Sequence, residues 1–246
     1  KNSLAAILKS KNPDIVHTQG LRADYIASIL ETPPNRVTTQ RNYPYDDFPL
    51  LYIPVLGTLL AKLYMRALKR IPYIVACSNS IEQALRPHLN DLLVIPNGVA
   101  VNSSSGIRTE NAKRAARAVL GISFEGPVFL FTGPLISRKQ PELLLEHFKF
   151  FFSKSTATLC VVGDGPLLAR CRMISQNSPN VLLPGHVGDL TPYLTAADVY
   201  VSASSAEGLP NSVLEALSFG LPTILSDIPA HAEINAFAPS SGSLVD

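Results

Sequence analysis

Short apolar runs alternate along the chain with longer segments whose apolar residues recur at helical spacing. In the second half the runs are Val128–Phe131, Leu159–Val162, Val181–Leu183, Val199–Val201 and Thr223–Leu225. Each is bounded by Gly, Pro, Ser or Asp, which predicts short strands buried on both faces. Residues 139–153, 166–176, 189–196 and 211–219 between them have the length and spacing of helices. Such alternation predicts a parallel sheet joined by right-handed crossovers. The first half is less regular, with predicted strands at Ile15–His17, Val37–Thr39, Ile74–Cys77 and Leu92–Ile95. The expected fold class is therefore α/β, in two domains.

The boundary falls in the Ser/Gly-rich stretch Asn102–Gly106, just after the turn Pro96-Asn97-Gly98. It divides the chain into domains 1–100 and 101–246, both read as Rossmann-like with parallel sheets. A chain of 246 residues, 46% hydrophobic and 16% charged, has material for two cores and is not a disordered polymer. Its net charge of +2 disfavours a general nucleic-acid binder. That charge is unevenly spread: residues 1–98 carry eleven basic and seven acidic residues, residues 99–246 ten and twelve. Cys77, Cys160 and Cys171 form no CxxC pair, which fits a reduced cytosolic protein better than a disulfide or zinc framework. The longest apolar run, Leu50–Ala61, contains Pro54 and Gly57 and is shorter than the roughly 20 residues that span a bilayer. Lys62, Arg66, Lys69 and Arg70 follow closely. Segment 50–70 fits either a helix resting on an anionic membrane or a core helix with a solvated basic face. The first residue is Lys1, inside a helix-like pattern, so the expectation is a fragment with parts missing at both ends.

In open parallel sheets, ligands bind beyond the carboxyl ends of the strands. There the sequence places Thr132-Gly133-Pro134 with Arg138-Lys139 after it, and Gly163-Asp164-Gly165-Pro166. It also places Pro184-Gly185-His186-Val187-Gly188-Asp189, and Ser202–Ser205 leading to Glu207-Gly208-Leu209-Pro210. One glycine turn is ordinary in any βα protein. Four such loops on one edge, with an Arg-Lys pair, predict an anionic ligand approached closely by backbone. Neither GxGxxG nor GxxxxGK[ST] occurs, which disfavours a dinucleotide or P-loop site. Glu207 falls in a loop and Glu215 in the helix after it, turned from the apolar face of Val213, Leu214 and Leu217. Taken alone, Glu215 reads as a solvated glutamate.

The run Glu207-Gly208-Leu209-Pro210-Asn211-Ser212-Val213-Leu214-Glu215-Ala216-Leu217 resembles the E-x7-E signature of retaining GT-B glycosyltransferases. This is the group 1 family, which includes glycogen synthase and many bacterial polysaccharide enzymes. Val94–Val99, Gly163–Pro166, Pro184–Val187, Ala197-Asp198-Val199, and Ser226–Pro229 with Glu233 are similar to family runs in order and spacing. The resemblance implies retaining transfer of a sugar from a nucleotide-sugar donor to a carbohydrate or lipid-linked acceptor hydroxyl. It implies a role in bacterial cell-surface polysaccharide or glycolipid synthesis, cytoplasmic or at the inner face of the membrane. No cofactor is implied, and no nucleic-acid partner. The absence of Asp-x-Asp predicts no metal.

Residue by residue, Lys139 keeps the place of the diphosphate-binding lysine, with Arg138 as a neighbouring cation. Glu207 corresponds to the contact with the donor sugar, and Glu215 to the ribose contact, two helical turns or roughly 12 Å further on. Gly133, Gly163, Asp164, Gly165, Val187, Gly208, Leu209 and Pro210 belong to the donor-binding loops. His17 reads either as an acceptor-side contact or as a packed core imidazole, and Asp46-Asp47 as a polar loop or an acceptor contact. The sequence departs from the family at Pro134, where an arginine is usual, and at Gln19 and Arg41, where histidines are frequent. A nucleotide-sugar epimerase or a non-catalytic nucleotide-sugar-binding protein of the same architecture is the alternative reading.

Overall fold

A computed structural model describes residues 2–30, 35–100, 109–123 and 125–245. The chain divides into a first unit, Lys1–Asn97 with Ala206–Leu209, and a second, Gly98–Ser205 with Pro210–Asp246. The expected linker at 102–106 lies outside the described residues.

In the first unit the elements are α1 (Asn2–Lys11), β1 (Val16–Thr18), α2 (Leu21–Ser28), β2 (Arg36–Gln40), α3 (Pro44–Leu51), α4 (Pro54–Leu68), β3 (Tyr73–Ala76), α5 (Asn79–Leu85) and β4 (Leu92–Val94). The strands form a parallel sheet in the order β1-β2-β3-β4. Tyr64, Met65 and Leu68 of α4 pack with Ile74 of β3 and with Ile81 and Leu85 of α5. Helix α5 starts where Ser78 Oγ accepts from the Ile81 backbone N–H at 3.2 Å, satisfying a donor that the helix cannot pair itself. Beside this core lies a buried polar cluster. Asp24, fully buried, accepts from Thr38 Oγ1 at 2.8 Å, from Gln40 Nε2 at 3.3 Å and from the Tyr64 hydroxyl. Burial, then the charge of Asp24, push the Tyr64 phenol far above its ordinary range. Segment 50–70, expected as one helix, is broken at Tyr52-Ile53 ahead of Pro54, which starts α4.

The second unit contains α6 (Glu110–Leu120), β5 (Val128–Thr132), α7 (Pro141–Phe152), β6 (Thr158–Val162), α8 (Leu168–Ile174), β7 (Val181–Gly185), α9 (Thr191–Ala196), β8 (Val199–Ser202), α10 (Asn211–Ser218), β9 (Thr223–Ser226), α11 (Pro229–Phe237) and β10 (Gly242–Val245). Its parallel sheet runs β10-β9-β8-β5-β6-β7. The strand order therefore reverses between β5 and β8, where such sheets bind ligands. All five residues of β6 are buried, as a strand covered by helices on both faces requires. Helix α6 and edge strand β10 were not expected. The signal for α6 is its ends rather than an apolar stripe. Thr109 Oγ1 accepts from Ala112 N at 3.1 Å, and Gly121 takes the left-handed φ of +66° that closes the helix.

The run Ala197-Asp198-Val199 has a structural explanation. Asp198 Oδ2 accepts from Val128 N at 2.7 Å and from Arg117 Nη2 at 2.5 Å, while Lys113 Nζ bonds the other oxygen. Arg117 is 5% exposed and also donates from Nε to Ala196 O at 3.0 Å, tying α6 to the end of α9. Burial raises the Asp198 carboxyl, but the Lys113 hydrogen bond, the Val128 N–H and the two cationic charges outweigh it and hold the group below its ordinary 3.8. A depressed carboxylate stabilises the fold above its unfolded pKa and loses that contribution as pH falls through the folded value. Asp198→Asn should destabilise the fold by about 3 kcal/mol at neutral pH, because Arg117 stays charged and buried. The gap between parent and variant should narrow in acid below the ordinary aspartate range. Chemical denaturation at several pH values checks this, and equal midpoints at pH 7 would contradict it.

Candidate functional site

At the carboxyl ends of β5, β6 and β7, three loops bond to one another through backbone. Gly133 N donates to Val162 O at 3.0 Å, Gly163 N to Gly185 O at 2.9 Å and Leu135 N to Asp164 O at 2.9 Å. A Cβ on Gly163 would lie 1.8 Å from Gly133 O, and one on Gly165 would lie 2.6 Å from Leu135 O. Both glycines also have positive φ, +149° and +155°. They are thus required by the neighbouring loop, whatever ligand approaches. The Asp164 carboxylate accepts from Gly165 N at 2.6 Å, holding its own turn.

A cavity of about 420 Å3 opens where these loops meet. Its wall takes Thr132, Gly133 and Pro134 from the first loop, Val162, Gly163 and Asp164 from the second, and His186, Val187 and Leu190 from the third. Asn211, Ser212 and Glu215 of α10 complete it. Gly165 sits behind the wall, against Leu135. Lys139 and Arg138 do not open α7, as the sequence implied. They belong to a 3-10 turn, Ser137–Lys139, and α7 begins at Pro141 after Gln140, whose φ is +48°. That geometry buries Lys139 and brings its ammonium alongside Gly133, where a Cβ would be 4.0 Å from Nζ. Arg138 is half-buried, and its carbonyl accepts from Ser205 N at 2.9 Å and Ser205 Oγ at 3.2 Å. It is not part of the wall.

Helix α10 starts where the sequence predicts, but Glu207–Pro210 are not helical, so a rise of roughly 12 Å between the two glutamates does not apply. Gly208, Leu209 and Pro210 precede α10, which begins at Asn211, so Glu215 stands in its second turn rather than two turns beyond Glu207. It is a half-buried member of the cavity wall, and burial pushes its carboxyl above the ordinary glutamate value. Asn211 and Ser212 were missed from the sequence. Their position in the first turn of a helix, where N–H groups lack intrahelical acceptors, was the available signal.

Glu207, Gly208 and Leu209 belong to the first unit. Ser78 Oγ donates to Gly208 O at 2.9 Å, and Asn97 Nδ2 donates to Leu209 O at 2.8 Å. The Leu209 side chain packs on the first core, and a Cβ on Gly208 would lie 1.7 Å from Arg41 O. Pro210, in the second unit, precedes α10 with extended backbone. His17 is exposed in the middle of β1, with Nε2 2.8 Å from Thr39 Oγ1, which removes the packed-imidazole alternative. The first unit has its own cavity of about 280 Å3 past the ends of β1 and β2. Gln19, Arg41, Asn42 and Asp47 line it together with Leu51, Tyr52, Gln40 and Tyr64, the last two fixed by Asp24. A third cavity, of about 370 Å3 beside α6, lies by the opposite ends of β5 and β8 and contains the Asp198 ion pairs. Among the described residues, no group of three or more His, Cys, Asp or Glu could hold a metal ion.

Residues 126–246 match the family described as Glycosyl transferases group 1, and residues 1–103 match Glycosyltransferase Family 4. The chain is 28% identical over 240 residues to the UDP-Gal:alpha-D-GlcNAc-diphosphoundecaprenol alpha-1,3-galactosyltransferase of Escherichia coli, covering 92% of this chain and 61% of that protein. The sucrose-phosphate synthase of Thermosynechococcus elongatus superimposes with a TM-score of 0.80 at 20% identity, over 99% of this chain and 63% of that one. Anabaena Alr3699/HepE, solved in complex with UDP and glucose, gives a TM-score of 0.76 at 17% identity, over 94% of this chain and 64% of that one.

Proposed function

The chain belongs to the group 1 glycosyltransferases and has the GT-B fold, and from that premise we propose that it transfers a sugar, with retention of anomeric configuration, from a nucleoside-diphosphate donor to an acceptor hydroxyl. One observation carries the donor assignment. A single cavity joins the first turn of α10, the half-buried Glu215 and Gly133, and the Lys139 ammonium lies against Gly133 next to its wall. A buried cation and helix N–H groups suit a diphosphate, and a carboxylate suits ribose hydroxyls. As the glycosidic bond breaks, negative charge grows on the departing diphosphate, and a cation already aimed there lowers the barrier. Lys139 supplies that charge, and Arg138 is the neighbouring cation of the same turn. Glu207 contacts the transferring sugar.

In this reading residues 101–246 hold the donor and residues 1–100 the acceptor, with Arg41, Asn42 and Asp47 around the first unit's cavity and His17 nearby on β1. The Escherichia coli relative's name specifies an acceptor on diphosphoundecaprenol, which supports a lipid-linked acceptor here and a role in cell-surface polysaccharide or glycolipid synthesis at the cytoplasmic face of a bacterial membrane. The test is a screen of nucleotide-sugars with the full-length protein, measuring nucleoside diphosphate released with and without acceptor and the anomer of the product. Acceptor-dependent release with a retained anomer is the expected result. Conversion of the donor's sugar without a transfer product would point to an epimerase. Binding with neither transfer nor hydrolysis would leave a binding protein.

A further inference from the structure

Helix α4 is apolar on two sides. Gly57, Ala61, Tyr64, Met65 and Leu68 are buried, as packing in the first unit requires. Ile53, Val55, Leu56, Leu59 and Leu63 instead face solvent, with Val55 84%, Ile53 71% and Leu59 53% exposed. Positions 55, 59 and 63 recur every four residues, so they form one stripe along the helix. The core-helix reading of this segment accounts only for the buried side. Soluble domains rarely leave so continuous an apolar stripe bare.

The charge pattern identifies its partner. From Phe48 to Ile81 the sequence has no Asp or Glu and four basic residues, Lys62, Arg66, Lys69 and Arg70. All four are exposed, following the apolar positions toward the end of α4. We propose that this face of α3 and α4 docks on an anionic lipid bilayer, its apolar side chains entering the boundary between headgroups and acyl chains and its cations meeting lipid phosphates. A second copy of the chain fits poorly, because a two-fold interface on this face sets the same four cations against each other. Among the described residues no helix is long and apolar enough to cross a membrane, so the contact is peripheral. Leu51 and Tyr52, at the near end of the stripe, also line the first unit's cavity. Docking therefore sets that cavity at the headgroup layer, within reach of a lipid-linked acceptor. The acceptor part rests on the function proposed above, whereas the docking stands on the stripe alone.

Flotation of the full-length protein with vesicles is the test. Binding to phosphatidylcholine mixed with phosphatidylglycerol, and at least roughly tenfold weaker binding to phosphatidylcholine alone, is expected. The double variant Lys62→Glu/Arg66→Glu should erase the anionic preference, and Val55→Ser/Leu59→Ser should weaken binding to both vesicles. Unchanged melting temperatures show that the fold survives these surface changes. Indifference to anionic lipid, or variants that float like the parent, would overturn the proposal. So would a dimer in sedimentation that Val55→Ser/Leu59→Ser converts to monomer. Nucleoside diphosphate release with a water-soluble acceptor is followed in parallel and should be equal in all variants. If release is absent while flotation behaves as expected, the transferase reading fails and the docking face remains.

Discussion

Glu207→Gln is expected to lower turnover by roughly a hundredfold or more, the scale on which one electrostatic contact to a transition state acts, with little change in nucleotide affinity. Glu215→Gln is expected to do the reverse, weakening donor and free nucleoside diphosphate together by about tenfold. The difference follows from what each carboxylate meets in the proposed mechanism. A contact to the sugar strengthens as positive charge develops at the anomeric carbon, so its loss appears in turnover. A ribose contact is the same in ground and transition states, so its loss appears in binding. The raised Glu215 carboxyl adds a pH signature. Ribose hydroxyls donate to the carboxylate, so nucleotide affinity should fall as pH drops through a pKa above the ordinary glutamate value. The Gln variant should lose that acid limb. Steady-state kinetics with nucleotide titration across pH measures both, and the assignments are wrong if Glu215→Gln keeps full affinity while Glu207→Gln keeps full turnover.

Lys139→Ala should reduce affinity for both the nucleoside diphosphate and the intact donor by roughly tenfold to a hundredfold, the value of a charge-assisted contact. Burial makes the lysine more effective than a surface cation, because its charge is poorly screened. Turnover should fall as well, since the departing diphosphate carries more charge in the transition state than in the bound donor. A nucleoside, which lacks the phosphates, is the control: its affinity should change little. Isothermal titration with the three ligands separates these effects. Equal affinity of parent and variant for the diphosphate would end the assignment, and a thermal melt shows whether burying Ala at 139 has harmed the fold.

Much of this architecture was legible because parallel strands covered on both faces must be nearly all apolar. Residues 159–162 and 128–131 announce β6 and β5 in that way. Edge strand β10 carries too little apolar sequence to be seen, and Gly242 is there because a Cβ would lie 2.4 Å from Thr223 O. The cavity's position followed from strand topology, and Gly133, Gly163, Asp164, Val187 and Glu215 do meet there. Purpose was less legible than place. Gly163 and Gly208 look alike in sequence, yet one is dictated by Gly133 in the second unit and the other by Arg41 in the first. Asp198 looked like part of a family signature, and its contacts show an ion-pair anchor for α6. Long-range partners of this kind leave no local periodicity to read.

Because Ala206–Leu209 is counted with Lys1–Asn97, the first unit is not contiguous in sequence. During synthesis Ser78 and Asn97 leave the ribosome well before Gly208 and Leu209, the backbone groups they bond 130 and 112 residues later. Until then the Ser78 hydroxyl has only Ser80 Oγ, at 3.0 Å, in place of Gly208 O, and the patch of core that receives Leu209 stays open. A polypeptide cut after Asn97 would keep that gap permanently. A shorter polypeptide meant to hold the whole first unit therefore needs Ala206–Leu209 supplied as well.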